Sequence, residues 1–237
     1  MFTTATGIAR NIHSQIADRI GLSIIRGEIP PGKPLPSEVK ICEMFAVSRP
    51  VVREAIRILI GKGLIESRAK SGTRVRTPET WNHLDPDVLR WSLATTDAAG
   101  YLQKLFSLRN AAEPTAAAIA AVTATAADRE AIARALDGMA CATSDEAFVD
   151  ADIAFHKAIT MATHNELFWP IAQMFEIALR QSFTLAAPGN HRIRAVAQHR
   201  RVMEAIYAGD SAAAKAATIA LLDHSVEDLD AIQAPAL

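Results

Sequence analysis

"SRPVVREAIRILIGKG", residues 48–63, opens on a hydroxyl residue, carries a proline two positions later and closes on a pair of glycines. Ser48 is a suitable N-cap, and Pro50 is tolerated in a first turn because the leading N–H groups of a helix have no intrahelical acceptor. The pattern therefore predicts a helix that ends at Gly61 or Gly63. Val52, Ile56 and Leu59 fall on one face of it, while Arg49, Arg53 and Arg57 recur every four residues on another. Such a helix holds a small core with one side and offers guanidinium groups with the other.

Working outward, Ser37 can cap a preceding short helix, "SEVKICEMF", and Ala46-Val47 makes a tight turn between the two. Upstream, "NIHSQIADRIGLSIIRG" (residues 11–27) places Ile12, Ile16, Ile20 and Ile24 at a spacing of four, one stripe of an amphipathic helix, before Gly27 and a run of prolines break it. Downstream, "LIESRAKSGTRVRT" (residues 64–77) reads as two short strands around a Ser-Gly tip. Two helices joined tightly, the second cationic at its start and followed by a β-ribbon, make a winged helix-turn-helix over residues 1–78. In that geometry the first residues of the second helix reach base edges in the major groove, so Ser48, Arg49 and Arg53 are candidate DNA contacts. The basic tip around Lys70, Ser71, Gly72 and Thr73 suits a minor groove or its backbone.

Charge separates the same way. The chain has a formal net charge of −1, yet residues 1–78 carry 13 Lys and Arg against 6 Asp and Glu, and residues 79–237 carry 12 against 20. A basic head on an acidic body suggests that the head alone meets a polyanion. Cys42 and Cys141 stand far apart and outside any CxxC, which argues against a disulfide framework or a thiolate zinc site. No leader pattern and no long uncharged apolar window is present, so a cytoplasmic location with no membrane partner is expected.

Residues 79–97, including "WNHLDPDVLRW", read as a linker with a short helix, and Trp81 and Trp91 are expected to pack it against a helical bundle. From residue 98 to 237 the pattern is helix after helix, near 98–123, 128–142, 146–164, 167–186, 192–208 and 211–232. The fold class expected is mainly α: a winged head and an all-α bundle. Within the bundle, "DADIAFHKAI" (residues 150–159) sets Asp152 and His156 four residues apart, about 40° around the helix and about 6 Å along it, so both can reach one cation. His199 opens a later helical run that a bundle can bring opposite. One carboxylate and two imidazoles suit Zn, Ni, Mn or Fe and leave coordination positions open.

The stretch from Gly27 to Val75, with its Leu-Pro-Ser-Glu entry, Ser-Arg-x-x-x-Arg-Glu-Ala helix and Gly-Thr wing, resembles the N-terminal domain of the GntR family of bacterial transcription regulators. The resemblance implies that Ser48, Arg49, Arg53 and Gly72 lie at DNA. Val39 departs from it, standing where members often have a basic residue, with Lys40 next. "DADIAFHKAITMATHN" followed by His199 and "AIYAGD" resembles the FCD domain, the helical effector-binding partner of one GntR branch. That resemblance implies a divalent metal, zinc first, held by Asp152, His156 and His199 at the base of a cavity. It also places Arg109 of "LRNAAEP" where an arginine faces a carboxylate effector. Asn165 is a second candidate effector contact, with Gln173, Arg180 and Thr184 on a candidate wall helix. A further histidine common in the domain is here Leu221, with His224 one turn on.

The junction is similar to the branch that includes galactonate-operon repressors, which implies a sugar acid as effector. The function expected is therefore a homodimeric, ligand-responsive repressor of a carbohydrate-acid operon, binding double-stranded operator DNA. The alternative is a metal-dependent helical-bundle enzyme with a tethered nucleic-acid-binding domain. Against it, no ExxH pair of the di-iron type occurs and no general base accompanies the proposed ligands.

Overall fold

Helix α1 (Ile12–Ile25) buries Ile16, Ile20 and Ile24, the inner part of the four-residue stripe, and leaves Ile12 exposed at its first turn. The computed structural model describes residues 11–68, 72–95, 97–183 and 191–233, and of residues 99, 178, 181–183, 191 and 224–233 the backbone alone. The wing-tip residues Lys70 and Ser71 thus lie outside the described residues, as does Thr184. The chain forms two compact units, residues 1–98 and 99–237.

In the first unit, α2 (Glu38–Phe45) is capped by Ser37, whose hydroxyl accepts from the Lys40 backbone N–H. It ends at Ala46 in the left-handed region (φ 52°), which turns the chain sharply into α3 (Arg49–Gly61). Val52, Ala55, Ile56 and Leu59 of α3 are buried against α1. Gly63 then sits at φ +77°, where a Cβ would lie 2.3 Å from the Thr80 carbonyl oxygen. Only glycine fits that turn. It leads into β1 (Ile65–Arg68), antiparallel to β2 (Gly72–Val75), with Ile65 opposite Val75 and Arg68 opposite Gly72.

Helix α4 (Pro86–Leu93) is capped by Asp85 and belongs to this unit. Trp91, expected to pack the linker against the bundle, belongs to the head core, and its indole N–H donates to Asp18 Oδ1 at 3.1 Å. Trp81 packs against the same core. The reason lies in Gly21: a Cβ there would stand 2.4 Å from the Trp91 ring, so the missing side chain opens a slot on α1 that the indole fills.

Among its described residues the second unit has helices and no strand. It runs α5 (Ala98–Thr123), α6 (Ala126–Ala140), α7 (Asp145–Met161), α8 (Trp169–Phe183), α9 (His191–Ala208) and α10 (Ser211–Gln233). Thr125 and Asp128 form a reciprocal capping box at the start of α6, and Ser144 caps α7. Ala117 and Ala121 of α5, Leu136 of α6, Phe155 of α7 and Ile206 of α9 meet in one core. Small side chains on α5 let it lie close to its neighbours, and this brings its polar residues near α7. Among the described residues no helix is long and apolar enough to cross a membrane.

Candidate functional site: a buried Asp/His/His cluster and a cationic helix face

One turn of α7 separates Asp152 from His156, and α9 brings His199 to both. His199 Nε2 lies 2.9 Å from Asp152 Oδ1 and 3.3 Å from His156 Nε2, while His156 Nε2 is 4.0 Å from Asp152 Oδ1. Each of the three groups offers one ligand atom, and these atoms all lie within 4.8 Å of one another. Donors about 2.0–2.2 Å from a tetrahedral ion stand roughly 3.3 Å apart, so the observed spacings bracket what such an ion requires. Asp152 and His199 are buried.

The far side of each imidazole is also engaged. His199 Nδ1 is 2.7 Å from the Ala195 carbonyl oxygen, an acceptor only, so Nδ1 carries the proton and Nε2 faces the cluster. His156 Nδ1 lies 2.8 Å from Glu113 Oε2. Glu113 in turn accepts from Arg109 Nε at 2.6 Å. Both belong to α5 and are buried.

Electrostatics are set by this chain of contacts. Burial alone would raise the Glu113 carboxyl, but Arg109 and then His156 outweigh it and hold the group far below the usual carboxylate range. Burial would depress His156, and the Glu113 charge overcomes that and raises it. Asp152, also penalised by burial, is lowered by the hydrogen bond and charge of His199. Among the buried atoms, Arg109 Nη1 has no partner, although the guanidinium lies between the Phe106 and Phe175 rings at 5.0 and 6.0 Å from their centroids. A buried unpaired guanidinium nitrogen is costly unless an anion completes it.

A cavity of about 10 Å³ adjoins the cluster, bounded by Glu113, Ile153, His156, Phe175, Glu176 and Leu179 among others. Asn165 is not one of its walls. Its Oδ1 accepts from the Leu167 backbone N–H at 3.1 Å, an Asx turn between α7 and α8, because a short side chain at the end of a helix satisfies local backbone first. Gln173 is exposed, and Arg180 is exposed and paired with Asp150 at 2.6 Å and Glu176 at 3.3 Å. Leu221 is buried in the core and offers no donor; the His224 side chain lies outside the described residues. Glu113 is the residue that the sequence reading missed. Its signal was present: a carboxylate four residues after Arg109 on an otherwise apolar helix face.

In the first unit, Arg49, Arg53 and Arg57 are exposed along α3. Arg53 Nε donates to Glu38 Oε2 at 3.0 Å, and Arg57 pairs with Glu54 at 2.8 Å. Arg49 makes no such contact among the described residues. The Ser48 hydroxyl makes no cap hydrogen bond, contrary to the sequence expectation, because Pro50 removes one of the two N–H groups it could accept from. Gly72 is exposed at the start of β2, with φ +75° and open space around it.

Comparison with known proteins agrees with this two-part reading. Residues 12–75 match the bacterial regulatory proteins of the gntR family, and residues 104–224 match the FCD domain. The galactonate operon transcriptional repressor of Escherichia coli (strain K12) is 34% identical over 229 residues, covering 94% of this chain and 98% of the relative. A putative L-lactate dehydrogenase operon regulatory protein of the same organism is 30% identical over 223 residues, covering 91% and 85%. A solved GntR structure from Streptococcus agalactiae is 25% identical, covers 90% of this chain and 98% of that one, and superposes with a TM-score of 0.52. The chain belongs to the GntR family of DNA-binding bacterial transcription regulators, in the branch that carries an FCD domain, and is not an enzyme.

Proposed function

We propose that this regulator is a homodimeric, cytoplasmic repressor whose helical unit senses a sugar acid or similar small carboxylate beside a divalent metal, zinc first. The observation that carries the reading is the pairing of two features in one buried place. Asp152, His156 and His199 hold three donor atoms within 4.8 Å of one another, and the buried Arg109 Nη1 lacks an acceptor. Asp152 Oδ1 and the two Nε2 atoms would hold the metal, which when bound supplies positive charge and open positions for a ligand's oxygens. Arg109 would take the carboxylate, a planar fork meeting a planar acceptor. The sugar-acid class rests on likeness to a galactonate operon repressor.

A cavity of about 10 Å³ cannot hold a sugar acid. An effector of that size seated there would need a more open arrangement of the wall that α8 supplies through Phe175, Glu176 and Leu179. An effector that binds the open arrangement alone shifts the population toward it, and DNA affinity changes only as far as the two arrangements differ in it. At the other end, Ser48, Arg49, Arg53 and Gly72 would meet operator DNA, with two copies matching two half-sites.

The experiment is a mobility-shift assay on an operator duplex selected from random DNA, with zinc present, against a panel of sugar acids and L-lactate. Release by a sugar acid, abolished by chelation, supports the reading. DNA binding indifferent to every acid and to chelator overturns it.

A further inference from the structure

We infer that Glu113, which is not itself among the converging donors, is a positioning residue that ties the anion-binding Arg109 to the metal ligand His156. The inference rests on the proposed metal site and adds a residue and a coupling to it. Glu113 Oε1 holds Arg109 Nε at 2.6 Å, gripping the guanidinium by one edge and leaving Nη1 unpaired. Its other oxygen lies 2.8 Å from His156 Nδ1, on the side of the ring opposite the Nε2 atom that faces Asp152 and His199.

A carboxylate against Nδ1 keeps the proton on that nitrogen and the lone pair on Nε2, and it makes the ring a stronger donor. The same carboxylate sets the orientation of Arg109. The two binding functions therefore share one residue: what fixes the imidazole for the cation also fixes the guanidinium for the anion. The i,i+4 spacing on α5 makes the Arg109–Glu113 half of this chain rigid, and Phe106 and Phe175 hold the guanidinium in place. Arg109 and Glu113 are both buried.

The test is the zinc dissociation constant, measured by competition with a chromophoric chelator, for the full-length wild type, Glu113→Gln and the double variant Arg109→Met/Glu113→Gln. The double variant replaces a buried ion pair with neutral groups of similar volume, so it folds where the single variant would leave Arg109 without its counter-charge. Both variants are expected to bind zinc about 10–100-fold more weakly than wild type. Loss of the Arg109 charge by itself favours cation binding, so weakening in the double variant belongs to Glu113. Melting of the metal-free proteins is the control: a residue with a packing role alone lowers the melting temperature of the metal-free protein and leaves zinc affinity unchanged. Zinc bound by the double variant within about twofold of wild type overturns the inference and leaves the metal site standing, whereas a wild type that binds no zinc overturns both.

Discussion

His199 Nε2 stands 2.9 Å from Asp152 Oδ1, joining α9 to α7 through two buried polar groups. Zinc at a hundred times its dissociation constant stabilises a protein by about 2.7 kcal/mol, which for a chain of this length raises the melting temperature by about 5–10 °C. His199→Ala should abolish that increment. Scanning calorimetry with and without zinc checks it, and an equal rise in the variant would remove His199 from the ligand set.

The fit of Trp91 against Gly21 decides between two opposed effects. Alanine in a helix interior is normally favoured over glycine by about 1 kcal/mol, but at position 21 its Cβ would meet three ring atoms of a buried indole within 2.7 Å. Overpacking of that kind costs about 1–3 kcal/mol. Gly21→Ala should therefore destabilise the head, while Gly61→Ala, at the end of α3 with nothing within 4 Å, should be neutral or stabilising. Urea denaturation of the two variants distinguishes these signs.

Arg49 and Arg53 lie on the exposed face of α3, so truncating either should change stability by less than about 0.5 kcal/mol. Operator affinity should fall by about 1–3 kcal/mol for a residue reading a base. For one that grips phosphate the loss is uniform across sequences and the salt dependence becomes shallower by about one charge. Fluorescence anisotropy at several salt concentrations separates these outcomes. Glu38→Gln frees Arg53 from its ion pair and should alter DNA affinity without altering melting.

Asp128 is held below its ordinary carboxylate value, first by the Thr125 hydroxyl, which with the Thr125 backbone and His164 outweighs the opposing effect of burial. A depressed folded value means the contribution is complete above the unfolded value of about 3.9 and is lost as pH falls through the lower folded value. The melting difference between wild type and Asp128→Ala should therefore persist at neutral pH and shrink below about pH 4. A difference that grows on acidification would contradict the assigned direction.

The architecture was readable because its signals are local. Ser37, Ser144 and Asp128 announce helix starts through side chains that meet backbone three residues away, and the Arg49/Arg53/Arg57 spacing shows its face within a few turns. The Asp/His/His cluster was half local, since Asp152 and His156 share a helix face, whereas the approach of His199 depends on how α9 packs. What stayed hidden was relational. Glu113 looked like one of many helical carboxylates until packing placed it behind His156, and Trp91 could be assigned to the head only once the slot at Gly21 was visible. The local turn that Asn165 makes with the Leu167 backbone was equally open, because a turn residue and a cavity residue have the same composition.

Calorimetric titration of sugar acids, galactonate first, into zinc-loaded protein and into the same protein after chelation is the most direct measurement of the link between cation and carboxylate. Saturable binding of one acid that vanishes on chelation and weakens at least about tenfold in Arg109→Met, as loss of a charge-assisted bidentate pair implies, is the expected result. An acid that binds equally well with and without zinc, or a panel in which none binds, would contradict the assignment of this buried cluster as the sensor.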